Sequence, residues 1–450
     1  MIQSDPQATP TLPLPPAPRS GLRDLVRDPL NFFLSLTRQY GDIVCYRPAP
    51  DTAYIINHPD YVRHVLVDNH RNYSKDTYSI QVFKKVVGDG LVTSEGEAWR
   101  GQRRMMQPAF AHTRLAALEP MIVGAIQDML DNWQHAYETN QPLDIAREMA
   151  ALTLTVTSRA LFGVDLGDEV REIGEWVNRA APQFEKPSRP QVQESAQAIR
   201  TIVDRIVQER RHDFSDKGDL LSSLMLAHDE QNNLKMNDAQ LADQVMTLLI
   251  AGYETTANAL TWTWYLLSQN PWAWDRLRSE IHNAMSGQGK GRATSLPSSL
   301  SLYIPALATM PYVRMVFDES LRLYPPAWMI GRRALGADEI GGYIVRPGTV
   351  IAVCVYTLHR NPVFWNEPDV FDPGRFSDSA TRNRYKYSYI PFGAGPRQCV
   401  GNKFGLLEAS LAIACIADRF ELRLVDGSAV EPQPLFVLRP NRDLMMTLHH

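Results

Sequence analysis

Residues 391–401 read "PFGAGPRQCVG". Two glycines, a proline and an arginine lead up to Cys399, and Gly401 follows it. The other cysteines of the 450-residue chain are Cys45, Cys354 and Cys415. Those three fall in strand or helix patterns, where a free thiol behaves as a small buried hydrophobe. Cys399 does not suit that description. The segment after it, "NKFGLLEASLAIACIADRF", has a helical pattern, so the thiol stands just ahead of a helix N-terminus. Free N–H groups and the helix dipole stabilise an anion there and lower a thiol pKa. Gly393, Gly395 and Gly401 let the backbone pass close to something flat or bulky. No second Cys or His lies at zinc-ligand spacing. A single thiolate presented from a glycine loop suits the axial position of a haem iron.

Working outward, 44% hydrophobic and 21% charged residues describe a globular chain able to bury a large core. A net charge of −4 gives no general attraction to nucleic acid or to an anionic membrane. Four cysteines without short pairings argue against a disulfide scaffold and suit a reducing cytoplasm. The opening "MIQSDPQATPTLPLPPAPRS" holds no apolar run long enough for a signal core or a spanning helix. It reads as a disordered, Pro-rich lead-in over 1–20. Past it, "DIVCYR" and "TAYIIN" alternate as short strands, and helical periodicity dominates 114–137, 147–162, 191–211, 238–269 and 310–323. The stretch 284–300 reads as an exposed loop. Short strands return at "EIGGYIVRPGTVIAVCV", "FELRLV" and "LMMTLH". The expected architecture is mainly α with small β-sheets: one large helical domain over 21–450 with a β-rich edge.

Three further clusters accompany the cysteine. "LLIAGYETTANAL" (248–260) sits inside the longest helical pattern, which Asn237 and Gln240 open as a capping pair and Asn270-Pro271 closes. Its flanks are apolar nearly all round, which marks a buried helix. Yet Gly252 costs about 1 kcal/mol relative to alanine, and Glu254 is a carboxylate among apolar neighbours. A locally widened helix carrying an acid and a Thr255 hydroxyl would serve proton delivery. In "DESLRLYPP", Glu319 and Arg322 are three apart on one helix face, and Arg375 of "FDPGRF" could join them. An exposed ion pair is the ordinary reading of such a spacing. In "EAWRGQRR", Trp99 and Arg103 lie one turn apart and can offer an indole N–H and a guanidinium to one carboxylate. The ordinary alternative is a basic helix face.

Together, in this order and at these separations, the four clusters resemble the cytochrome P-450 family of haem-thiolate monooxygenases. Phe392, Gly395, Arg397, Cys399 and Gly401 match its haem loop, and "AGYETT" its oxygen-activation helix. Glu319, Arg322 and Arg375 match its structural triad, and Trp99 with Arg103 its propionate-binding helix. Gln102, where many relatives carry histidine, and Gly405, in place of a common alanine, are small departures. The resemblance implies haem b ligated by Cys399, with Trp99, Arg103, Arg332 and Arg397 pairing with the propionates and Phe392, Gly393 and Gly401 shaping the loop. Glu254 and Thr255 would relay protons to bound oxygen.

It also implies insertion of one oxygen atom from O₂ into an apolar substrate, such as a fatty acid or terpenoid. By family position the pocket would draw on Tyr78, Ile80, Phe83, Leu248, Ala251, Trp328, Met329, Ile330, Leu435, Phe436 and Val437. With no fused flavin or iron–sulfur domain and no membrane anchor expected, electrons would come from NAD(P)H through a separate reductase and a ferredoxin or flavodoxin. That partner would meet a basic face holding Arg100, Arg104, Arg397 and Lys403. A peroxygenase or isomerase would need no electron partner, but relatives of that sort usually lack the Glu254–Thr255 pair. A haem-based sensor is the remaining alternative, and no signalling module is attached.

Overall fold

Val44, Ile55, Ile56, Ile351 and Val353 are all buried, and the strands that carry them join in one sheet. The computed structural model describes residues 13–18, 22–47, 52–163, 172–176, 179, 189–213, 215–229, 234–286, 307–425 and 429–450. These divide into two compact units.

The smaller unit comprises 1–77, 329–365 and 385–398. Its sheet contains β1 (Ile43–Arg47), β2 (Ala53–Ile56), β3 (Tyr73–Ser74), β4 (Met329–Ala334) and β5 (Val350–Cys354), in the order β1-β2-β5-β4-β3. β1 and β2 are antiparallel, with Ile43 opposite Ile56. β5 runs parallel to β2, with Ile351 opposite Tyr54, and antiparallel to β4. Every residue of β2 is buried, as expected of a strand covered on both faces. Helix α1 (Pro29–Tyr40) starts at an Asp28 cap with proline in its first turn, and buries Leu30, Phe32, Phe33 and Leu36. A hairpin joins Asp338–Ile340 to Tyr343–Val345. It turns at Gly341 and Gly342, whose φ angles are 60° and 81°, the left-handed pair that a two-residue turn demands. Of the lead-in expected over 1–20, only 13–18 is described, and it is tied down. The Pro13 and Pro16 carbonyls accept hydrogen bonds from Ile344 N (3.0 Å) and Cys45 N (2.9 Å).

The larger unit is mostly helical. Its helices are α2 (Tyr78–Val87), α3 (Gly96–Met106), α4 (His112–Glu138), α5 (Ile145–Phe162), α6 (Pro190–His212), α7 (Asp238–Gln269), α8 (Pro271–Ser286), α9 (Pro311–Leu323) and α10 (Asn402–Arg419). β6 (Glu421–Leu424) pairs antiparallel with β7 (Met445–His449), and Leu143–Asp144 borders β7 on its other side. A second hairpin pairs Pro432–Pro434 with Leu438–Pro440. The five expected long helices all form. At the head of α7 both bonds of the capping box are present: Asn237 accepts from Gln240 N (2.9 Å), and Gln240 accepts from Asn237 N (3.0 Å). The loop expected over 284–300 begins later, because α8 continues through Ser286; residues 287–300 lie outside the described residues. Among the described residues, no helix is long and apolar enough to cross a membrane.

Candidate active site

The four thiols have unlike surroundings. Cys45, Cys354 and Cys415 are buried, whereas Cys399 is exposed. Burial pushes the Cys354 thiol up to about 11 and raises that of Cys415 as well. Neither can act as a thiolate near neutral pH. The chain reaches Cys399 through Gly393 and Gly395, at φ angles of 71° and 70°, followed by one tight turn over Gly395–Arg397. A Cβ at Gly395 would collide with the Leu66 carbonyl oxygen, so only glycine suits that position. Beyond the thiol, Gly401 stands at the head of α10 without a side-chain cap. The positive pole of an 18-residue helix is thereby left next to the sulfur.

Arg103 comes from α3, one turn after Trp99, and both are half-buried. Burial lowers the Arg103 pKa, and the nearby Cys399 charge raises it. A partly desolvated guanidinium therefore acts on the exposed thiol and favours its ionised form. The neighbouring arginines have other partners. Arg104 holds the buried Asp229 through two bonds of 3.0 and 2.8 Å, and Arg100 holds Glu97 (3.0 Å). In the smaller unit, Arg332 is buried on β4 with Nη1 on Gly331 O (2.8 Å). Its neighbour Arg333 is committed to the Asp76 and Gly348 carbonyls (2.7 and 3.0 Å). Phe392, Gly393 and Arg397 are half-buried in the same unit.

α7 is buried nearly all round, yet Leu248, Ala251, Gly252 and Thr255 keep partial access. Their spacing puts them on one face, a stripe of mostly small side chains that a flat group could cover. The expected widening of the helix does not occur: α7 is α-helical from Asp238 to Gln269. Its hydroxyls turn back onto the preceding turn instead, Thr255 Oγ1 donating to Ala251 O (2.9 Å) and Thr256 Oγ1 to Gly252 O (3.1 Å). Gly252 serves helix contact, since a Cβ there would stand 3.1 Å from Thr157 Cγ2 of α5. One turn away on α5, Thr153 Oγ1 donates to Tyr253 O (3.1 Å). Burial pushes the Glu254 carboxyl up, and Arg439 opposes the shift. Arg439, Thr153 and Thr157 have no signature in the sequence, because each acts across the fold.

The Glu319–Arg322 pair is no surface bridge. Both side chains are 0% exposed, and two bonds of 2.7 and 2.8 Å join them in a fork. Arg322 also donates to Pro368 O (2.6 Å) and Val370 O (3.1 Å), and Asp372 N donates to Glu319 (2.8 Å). Arg375 Nε stands 3.4 Å from Glu319. Every charge has several partners, which is what lets such a pair survive burial.

Residues 13–448 match the family model described as Cytochrome P450. "Cyclooctatin synthase" of Streptomyces melanosporofaciens is 36% identical, over 91% of this chain and 89% of its own. "Pentalenene oxygenase" of Streptomyces avermitilis is 28% identical, over 94% and 93%. A crystal structure of a cytochrome P450 superposes with a TM-score of 0.87 at 26% identity, covering 98% of this chain and 99% of the other. The four clusters, the fold that holds them and these likenesses agree: the chain belongs to the cytochrome P450 family, the haem-thiolate monooxygenases.

Proposed function

We propose that the protein hydroxylates a polycyclic terpenoid or a similar lipophile, with Cys399 as the axial haem ligand. For the ligand, the observation that carries the reading is the exposure of this one thiol beside Arg103 while the other three are buried. A soft, anionic, singly presented donor suits haem iron and leaves no second ligand for a structural metal. Trp99, Arg103, Arg332 and Arg397 would hold the propionates, with Phe392, Gly393 and Gly401 shaping the loop beneath the ring. When bound, the haem supplies the activation of dioxygen. The protein's own contribution is to present the thiolate, to cover the small-residue face of α7, and to hold protons at Glu254 and Thr255. A carboxyl kept neutral by burial can donate, and the hydroxyl beside it can pass a proton on.

Substrate class rests on the relatives' printed names, which include a cyclooctat-9-en-7-ol 5-monooxygenase at 35% identity, and on the lining. In the larger unit Phe83 stacks on Phe436 with ring centres 4.8 Å apart. The Trp328 indole donates to Leu435 O (2.8 Å), which fixes an apolar wall with few polar anchors. Tyr78 does not belong to that wall, for it is 69% exposed. Electrons are supplied by a separate ferredoxin or flavodoxin and its NAD(P)H reductase.

Two measurements test the reading. Reduced protein with carbon monoxide should give the red-shifted Soret band of a thiolate-ligated haem. Cys399→Ala should lose that band and Cys415→Ala keep it; a normal band in the Cys399 variant refutes the ligand. A panel of cyclic terpenoids, fatty acids and small polar compounds, read by the ferric Soret shift, should show tightest binding for the terpenoids. Preference for the polar compounds refutes the substrate class.

A further inference from the structure

None of the roles above uses Glu408, on the second turn of α10. Its side chain is 0% exposed, and neither carboxyl oxygen has a hydrogen-bond partner. α10 packs against α4, α7, α8 and α9. Among the described residues no charged side chain of any of them acts on Glu408, and burial alone pushes its carboxyl well up. An ionised carboxylate in that position would cost several kcal/mol, so the group is the neutral acid. The neutral acid still carries an O–H donor and free lone pairs. A buried polar group without a protein partner is characteristically met by buried water.

Three residues earlier, on the same face, Gly405 brings α10 against α7: a Cβ there would stand 3.5 Å from Thr256 Oγ1. Thr256 commits its own proton to Gly252 O, leaving its lone pairs open to a donor. Ala259 and Thr263 follow at three and seven residues and share that face. Thr263 likewise donates back along the helix, to Ala259 O (2.8 Å). The side of α7 turned toward α10 thus offers small side chains and acceptors, and Glu408 offers a proton.

We propose that Glu408 holds buried water between α10 and α7 and donates its proton through that water to the Thr255–Thr256 segment, as a second proton source beside Glu254. The inference rests on the monooxygenase reading above. In the step, the Glu408 O–H bond breaks and its proton passes to the water, which releases one of its own to the next acceptor. The carboxylate left behind is reprotonated from solvent before the next turnover.

Infrared difference spectra of the holoenzyme, comparing the natural chain with Glu408→Gln and with Glu254→Gln, read the C=O stretch of each protonated carboxyl directly. At neutral pH one protonated-acid band should vanish in Glu408→Gln, survive in Glu254→Gln, and shift in heavy water. With the thiolate Soret band and substrate binding unchanged, product formed per NADPH in Glu408→Gln should fall about tenfold, at the lower end of what an impaired proton transfer costs. A carboxylate band where the acid band is expected overturns the proposal. So does an acid band accompanied by unchanged product per NADPH, or a Glu408→Leu variant as tightly coupled as the natural chain. Failure of the monooxygenase reading is separate: the natural chain would then form no product from NADPH and O₂, with its infrared bands unaltered.

Discussion

A methyl group added at Gly395 meets two obstacles at once. The φ of 70° costs an L-residue about 1–2 kcal/mol, and the Leu66 carbonyl occupies the space. Gly342 isolates the first cost, since its φ is 81° and no atom lies within 4 Å of a built Cβ. Gly342→Ala should therefore lower stability by about 1–2 kcal/mol and keep full haem content. Gly395→Ala should lose haem as well, measured by absorbance per protein and by thermal melting. Thr255 makes the complementary case, a residue whose loss the fold tolerates. Its hydroxyl bonds only to its own helix, at Ala251 O, so Thr255→Ala should melt within about 0.5 kcal/mol of the natural chain. Product per NADPH should nevertheless fall about tenfold or more, with hydrogen peroxide rising to match. Unchanged coupling would refute the relay.

Helix ends and helix faces set the next scale. Removing the Asn237 cap by Asn237→Ala should cost about 1 kcal/mol, visible in chemical unfolding, with spectra of the folded protein unchanged. On α10 the consequence depends on pH. Burial raises the folded-state pKa of Glu408, so above the ordinary glutamate value the native chain keeps a proton that the unfolded chain has lost. Stability should then fall as pH rises, by about 1.4 kcal/mol per unit, until the raised pKa is passed. Glu408→Gln should remove that slope, as melting temperatures from pH 5 upward would reveal. Elements were the most legible level of this chain. α7 could be bounded to the residue because its cap, its apolar run and the closing Asn270-Pro271 agree. Pairwise spacing revealed that Glu319 and Arg322 share a face but not that they are buried, since burial is decided by 366–376 folding over them. Glu408 was invisible for the same reason: inside "GLLEASL" a glutamate looks like one polar position on an amphipathic helix.

At the scale of the whole molecule, charge decides how an electron donor approaches. Net charge is −4, and the expected basic face is thinner than the count of arginines implies. Arg100 and Arg104 are engaged by Glu97 and Asp229, whereas Lys403 is exposed on the first turn of α10. Lys403→Glu should slow reduction by an acidic ferredoxin, with the difference vanishing as salt rises. Arg104→Glu should act differently: it leaves Asp229 buried without its partner and lowers stability by about 1–3 kcal/mol. Equal effects of both changes on the reduction rate, at equal stability, would contradict this distinction.

The parallel pairing of Ala53 with Val350 also has a meaning on the ribosome. The apolar strand Ala53–Ile56 leaves the exit tunnel almost 300 positions before its neighbour has been translated. At bacterial elongation rates of about 5–20 residues per second, that wait lasts roughly 15–60 s. For that interval the nascent chain carries an unpaired, sticky edge. Its yield in a host should therefore respond to chaperone supply and to the speed of translation across the intervening codons more than to the stability of the finished enzyme.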